Sequence, residues 1–600
     1  MTSQITEQVE TLGRTDQHQR GPAEASGAID AAVVASRIQS IATQMAECML
    51  TTSRSPIFSQ FLDFVTGIFD ARGRWVATKD YIPVLAGSLP SAYEGIVHRF
   101  ADEVHDGDIY ILNDPYHGNN HPPDVTVAKP VFFEGQLRFW AISKGHHSDV
   151  GGSGVVGYNP YAKDCWEDAL RIPPVRLYDR GVYQRDVWDL ILLNVRMREF
   201  VEGDLQCQIG AVKVGEHALV AMLEKFGVER VEAALDYHLA ASERHMAEEI
   251  SRLPDGVYRS RRRLDNGGAH HRQQITVKLE LRIEGQEITF DFTGSDPQVP
   301  GFVNSTYANT VASCLIGLFS VVDPDIPVNG GSIAPVRIVT EPGTIVHAVE
   351  PAATTLNTVT TCEAIIETIW LAIAQAAPTA TNAGWTRGWS LGAAGYNERT
   401  ERPFAGFVGF GGGGAGATYG FDGWDGLGTP ITMGGNKTMD AELHELASPF
   451  TVLGFGLDTD SAGPGTWRGG NGSWLRWRCE QDELPLVSYG SGSLEETAPF
   501  GIEGGHASTP NTVVLHRADG STEAAVLNSI ATIQRGDIVE AHFSGGGGYG
   551  DPRQREAVAV LDDVRNEVLT AEVAEKVYGV VVDPSSWSVD AAATADRRLQ

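Results

Sequence analysis

Cysteine is scarce in this sequence, six residues in 600. The six (Cys48, Cys165, Cys207, Cys314, Cys362 and Cys479) lie far apart with no CxxC pair. That spacing argues against a disulfide framework and a zinc ribbon, so any bound metal needs histidine and carboxylate ligands. Basic charge is also short, with 46 Lys and Arg against 77 Asp and Glu and a net charge of -31. A surface of that sign repels phosphate backbones and anionic lipid, so neither nucleic acid nor a membrane is an expected partner. No apolar run of about 18 residues occurs, and the polar start lacks the apolar core of a secretory signal, which makes a cytoplasmic location the expectation. Neither GxxxxGK[ST] nor GxSxG occurs. A P-loop and an α/β-hydrolase nucleophile therefore have no support, and ATP, if used, is held by another chain.

What is present reads as a large, loop-rich globular protein, 42% hydrophobic with 67 glycines and 29 prolines. The expected class is α+β, a large mixed α/β body with a β-rich, glycine-dense C-terminal region. Residues 1–28 are a polar tail that cannot repay its own ordering. From Asp30, the stretch DAAVVASRIQSIATQMAECMLTTS sets Val33, Ile38, Ile41, Met45 and Met49 at helical spacing, which predicts an amphipathic helix with Asp30 as N-cap. Alternating segments around DARG and through VTVAKPVFFEGQLRFWAISKG predict strands, and two helical segments broken at Gly227 predict a helical hairpin; these make up 29–256. A mixed α/β domain follows over 257–400, with an EG turn between two strands and two apolar helices. A glycine-rich β domain, sandwich-like or barrel-like, covers 401–555. The last segment, 556–600, is helical to about Lys576 and ends in a short strand and a polar tail.

Two stretches hold most of the chemistry. NDPYHGNNHPPDV (113–125) supplies Asp114, His117, His121 and Asp124, and KGHHSDVGG supplies His146, His147 and Asp149. His121 and Asp124 are separated only by two prolines, which stiffen the turn and lower the entropy lost in bringing two ligands together. With His146 or His147 about 22 residues later they offer three ligands of the kind that suits Zn, Mn or Fe(II) and leaves coordination positions open. Asp149 is a candidate to hold the second ring nitrogen of a ligand histidine. The plainer account is that these histidines cap turns and bond carbonyls. Cys362, at an expected helix start, is the most suggestive thiol, although a buried structural thiol is the simpler reading. The glycine stretches at 409–420 and 544–552 read first as close backbone packing and second as phosphate cradles.

Beyond single residues, GSLPSAYEGI, GDIYILNDPYHGNNHPPDVTV, KGHHSDVGG, EDALRIPPVRLYDRG, NVRMREFVEGDLQCQ, FDFTGSDPQVPGFVNST, TWRGGNG and SGGGGYGDP follow one another in an order that resembles the hydantoinase B/5-oxoprolinase family. This family includes the alpha subunits of acetone carboxylases. The resemblance implies a hydantoinase A type partner that binds ATP and Mg and phosphorylates the substrate, and a hetero-oligomer in which this chain is the metal-dependent second station. It implies His121, Asp124 and His146 as metal ligands, with His147 the alternative third, and Zn or Mn, or Fe, as the ion. His147, His117 or Asp149 is then the candidate general base. The implied reaction is ring opening of a cyclic amide such as a hydantoin, 5-oxoproline or a lactam. The alternatives are a ketone carboxylase subunit and a non-catalytic scaffold. Tyr81 and Leu85 stand where many hydrolytic members carry histidine, which leaves room for the carboxylase. Glu167 matches an acidic position of the family, with an ion pair to Arg171 as the plainer account.

Overall fold

A computed structural model describes residues 25–409, 412–435, 437–583 and 585–599. The chain is α+β. Most of the expected tail lies outside the described residues, and from Ala25 the chain is already helical. Helix α1 (Ala25–Thr52) therefore contains Asp30 rather than being capped by it, and the Asp30 carboxylate instead pairs with Arg230. Its buried stripe runs through Val34, Ile38, Ile41, Met45 and Met49, while Val33 points outward at 45% exposure. The helical period selects Val34 over its neighbour.

A seven-stranded antiparallel sheet underlies the candidate site, in the order β2-β1-β5-β4-β3-β6-β7. Its strands are β1 (Phe64–Asp70), β2 (Trp75–Asp80), β3 (Ile109–Leu112), β4 (Asp124–Phe133), β5 (Gln136–His146), β6 (Val175–Asp179) and β7 (Val182–Tyr183). DARG closes the β1–β2 hairpin, and Glu134-Gly135, both at positive φ, close β4–β5 in the geometry that a two-residue hairpin demands. Helix α1 and helix α2 (Arg198–Phe226) cover one face: Thr66 donates to the Ala42 carbonyl, and Ser143, its partner in register, lies against Gln208. Helix α3 (Val228–Ile250) follows after Gly227 alone. One residue is too short a link for a helical hairpin, so α2 and α3 each pack on α1 instead of along each other.

The second sheet, β11-β10-β9-β8, comprises β8 (Gly256–Leu264), β9 (Ile275–Glu284), β10 (Glu287–Asp291) and β11 (Val336–Val339). The expected EG hairpin joins β9 to β10. Helices α4 (Tyr307–Phe319) and α5 (Thr361–Ala376) correspond to the two apolar segments, and α5 lies against β8 and β9. Further on, β12 (Trp389–Asn397), β13 (Arg402–Gly409), β16 (Leu484–Gly490) and β19 (Ser529–Ile533) form one sheet. A facing sheet is built from β14 (Phe450–Leu457), β15 (Ser473–Cys479), β17 (Thr512–His516), β18 (Thr522–Ala524) and β20 (Ile538–His542). Leu391, Phe404 and Leu486 of the first meet Leu475, Trp477 and Val539 of the second in one core, which is a β-sandwich.

Beside the sandwich, extended glycine segments run against one another. Gly414 donates to Ser544, Gly470 to Ala415 and Gly546 to Gly470, at 2.9–3.1 Å. A Cβ on Gly546 would sit 1.8 Å from the Ala415 carbonyl. These amides are spent on neighbouring backbone, so at these positions the segments pack on one another rather than cradle a phosphate. At the C-terminus, α6 (Ala557–Arg565) and α7 (Ala571–Lys576) precede a two-stranded ladder. The expected polar tail is a helix, α8 (Ala591–Leu599), whose first turn is bonded by the Asp590 carboxylate. Its only large apolar residue is Leu599, so its period was not legible.

Candidate metal centre

Register brings three of the candidate side chains together. Asp124 opens β4, His146 closes β5, and the two are directly paired across the ladder. His121 lies one turn before Asp124, with the Asp124 amide donating to its carbonyl at 3.2 Å. His121 Nε2 is 2.8 Å and His146 Nδ1 3.0 Å from the same oxygen, Asp124 Oδ1. One ligand atom from each residue lies within 4.8 Å of the others, and all three side chains are buried.

The hydrogen bonding fixes which atoms face inward. His121 Nδ1 lies 2.7 Å from the Thr355 carbonyl, which can only accept, so Nδ1 carries a proton. In a neutral ring Nε2 then presents a lone pair to a carboxylate oxygen, two acceptors face to face. Such an arrangement needs a proton or a cation between them. Burial alone would raise the Asp124 carboxyl, but the His121 and His146 imidazoles hold it well below the usual range. Asn120 Nδ2 donates to its other oxygen at 2.5 Å. Burial opposes a charge on His146, yet its bond to Asp124 and the charge of Asp63 raise it.

Asp63 was not among the sequence candidates. It precedes β1, and pairing of Phe64 with Gly145 carries it to His146: its carbonyl accepts the His146 amide at 3.0 Å, and Oδ2 lies 3.9 Å from Nδ1. Oδ1 is buried without a hydrogen bond, and burial pushes the carboxyl up to about 6. The signal available in the sequence was a single acid interrupting the apolar run FLDFV. Lys144 was also missed. Two residues before His146, it shares that face of the sheet and donates to Ser88 Oγ at 2.7 Å, and burial pushes its ammonium down to about 7.

The other candidates lie apart from this cluster. His147 turns to the α2 face, where its Nε2 meets Gln208 Oε1 at 2.9 Å. The Gln208 amide nitrogen is engaged by the Val125 carbonyl, so His147 Nε2 is the donor; Nδ1 is buried and unpartnered, and burial keeps the ring neutral. Asp149 does not orient a ligand imidazole; its carboxylate is committed to the Arg196 guanidinium at 2.7 Å and to the amides of Gly151 and Met197. His117 is bonded to Asp114 at 2.9 Å and is 43% exposed. Arg171 pairs with Asp114 and Glu350, not with Glu167, whose carboxylate accepts the Lys163 amide. Cys362 is wholly buried within α5, and burial drives its thiol far upward, away from any nucleophilic role. Tyr81 packs edge-on against Phe64, with ring centroids 5.2 Å apart.

Two imidazole nitrogens and a carboxylate oxygen converging in a dry site, with an orphaned Asp63 oxygen beside them, suit a divalent ion such as Zn, Mn or Fe. An aromatic wall borders the cluster. Tyr158 stacks on Tyr489 with centroids 4.1 Å apart, and Phe407 lies 6.0 Å from the His146 ring.

Fold and site together define a class: α+β chains that gather two histidines and an aspartate at the end of an antiparallel sheet. The hydantoinase B/oxoprolinase model matches residues 27–552, and the chain belongs to that family. It is 34% identical to caprolactamase subunit beta of Pseudomonas jessenii over 580 residues, which cover 95% of this chain and 98% of that one. The crystal structure of ATP-dependent caprolactamase from the same organism superposes with a TM-score of 0.88 at 33% identity, over 95% of this chain and 99% of the other. 5-Oxoprolinase 1 of Arabidopsis thaliana is 28% identical over 86% of this chain and 41% of its own length. Nucleotide-free acetone carboxylase shares the fold, with a TM-score of 0.88 at 20% identity over 95% of this chain and 82% of that one. As a relative of a named subunit beta, this chain is a B-type subunit of the ATP-dependent lactamase and hydantoinase family.

Proposed function

We propose that this chain is the metal-binding subunit of an ATP-dependent cyclic amide hydrolase that opens a lactam or related ring after an ATP-binding partner of hydantoinase A type has activated it. The observation that carries this reading is the end-to-end likeness to caprolactamase subunit beta, 34% identity over 98% of that chain. Acetone carboxylase, at 20% identity, speaks for the fold alone. The carboxylase reading is therefore second.

His121, Asp124 and His146 would hold the ion, with Asp63 as a further oxygen donor. A bound divalent ion supplies Lewis acidity toward a carbonyl or phosphoryl oxygen and lowers the pKa of a bound water. The Thr355 carbonyl keeps His121 in the tautomer that faces the ion, and Asn120 steadies Asp124. Tyr158, Tyr489 and Phe407 present an apolar wall against which the methylenes of a lactam ring can lie. The test is the chain reconstituted with its ATP-binding partner. ADP release that follows added lactam and ignores bicarbonate is expected. Release that requires bicarbonate and a ketone would establish the carboxylase reading in its place.

A further inference from the structure

Glu167 drew attention in the sequence, but its neighbour Asp168 is the residue the fold has enclosed. Asp168 ends the short Cys165–Asp168 helix with its side chain at 0% exposure. Oδ2 accepts the Thr354 amide at 2.8 Å and the Thr355 amide at 3.0 Å. No Lys or Arg lies within ion-pair distance of it among the described residues. The Thr355 carbonyl, on the same residue as the second of those amides, is the acceptor of His121 Nδ1 at 2.7 Å.

The surroundings leave this chain of contacts little freedom. The Cys165 amide donates to the Pro351 carbonyl at 2.8 Å, which seats the short helix on the segment that leads into Thr354. The Leu170 amide donates to Val150 at 2.9 Å, and Gly152, at φ +71°, lets the Asp168 carbonyl approach so closely that a Cβ there would lie 2.6 Å from it. The last glycine of KGHHSDVGG is thus what allows the EDALRIPP segment to close over the loop that follows His146. Asn357 Nδ2 donates to the Asn120 carbonyl at 2.9 Å, tying the same segment to the residue before His121. Burying a carboxylate without a cation is costly, and burial pushes Asp168 up to about 6. The His121 ring is the group that gains from the rigidity.

We propose that Asp168 is a positioning residue of the metal centre: by holding the Thr354 and Thr355 amides it sets the Thr355 carbonyl as the fixed acceptor for His121 Nδ1–H, which turns Nε2 toward the ion. This rests on the reading that His121, Asp124 and His146 bind a metal. The direct partner of a ligand imidazole is worth about 10–100-fold in metal affinity, and Asp168 acts one step behind that partner.

The test uses full-length protein stripped of metal, titrated with Zn²⁺ against a competing chelator, with the visible spectrum of added Co²⁺ reporting ligand geometry. Asp168→Ala is expected to bind Zn²⁺ about tenfold more weakly, the low end of what a direct partner is worth, with an altered Co²⁺ spectrum. Asp168→Asn keeps an oxygen with two lone pairs for both amides, and it is expected to stay near the wild-type affinity. An Asp168→Ala protein that melts earlier but binds Zn²⁺ as tightly as wild type would mark Asp168 as merely structural and overturn the inference. So would Asp168→Asn binding as poorly as His121→Ala, an arm that stands even if Asp168→Ala does not fold. His121→Ala separates the two layers. If it binds Zn²⁺ like wild type, the metal reading fails; if it loses the ion while Asp168→Ala keeps it, only the role of Asp168 fails.

Discussion

Two adjacent imidazoles, His146 and His147, receive opposite surroundings from the pleat at the end of β5. One faces Asp124, the other faces Gln208 on α2. Side chains alternate across a strand, so strand parity decides which of the two imidazoles lies beside Asp124, a choice that sequence spacing alone left open. The same local rule explains what was legible: the HxxD pair sits within one turn and could be read, whereas Asp63 reaches the cluster through pairing of β1 with β5. Away from the site, His444 gives a prediction at this scale. Packed 5.2 Å from the Trp477 ring, it is pushed by burial down to about 4. A base depressed in the folded state contributes stability that is full above its unfolded pKa near 6.5 and is lost as pH falls toward 4, about 2 kcal/mol of it between about pH 6.5 and 5. His444→Leu should therefore flatten the acid side of the melting-temperature profile; an unchanged profile would mean that His444 does not titrate this way.

Among the elements, those with a strong period or a specific turn were readable: α1, the DARG and EG hairpins, and the two apolar helices α4 and α5. The glycine segments were readable as close backbone packing, but not their partners, because extended chains held by amide bonds to distant backbone have no hydrophobic period to display. Their role does make a prediction. Gly546→Ala would drive a methyl to 1.8 Å from the Ala415 carbonyl, whereas Gly406, in β13, has open space around its Cβ position. We expect Gly546→Ala to lower the melting temperature steeply or abolish soluble expression, with Gly406→Ala close to wild type. Equal behaviour of the two variants in a thermal melt would show that the glycine bundle does not need its close contacts.

Across the whole molecule, the site draws on parts of the chain that no sequence window contains: Asp63, the 121–124 turn, His146, Thr355 and the sandwich residues Phe407 and Tyr489. The fold class and the collinear motifs were legible at this scale, and the near-complete overlap with caprolactamase subunit beta accords with them. The central claim is that His121, Asp124 and His146 bind a divalent ion, and elemental analysis of the purified full-length chain tests it most directly. About one Zn, Mn or Fe per chain is predicted, falling below about a tenth in His121→Ala and Asp124→Ala while His117→Ala keeps its metal. A wild-type protein without metal after growth with all three ions supplied, or variants that retain it fully, would contradict the account.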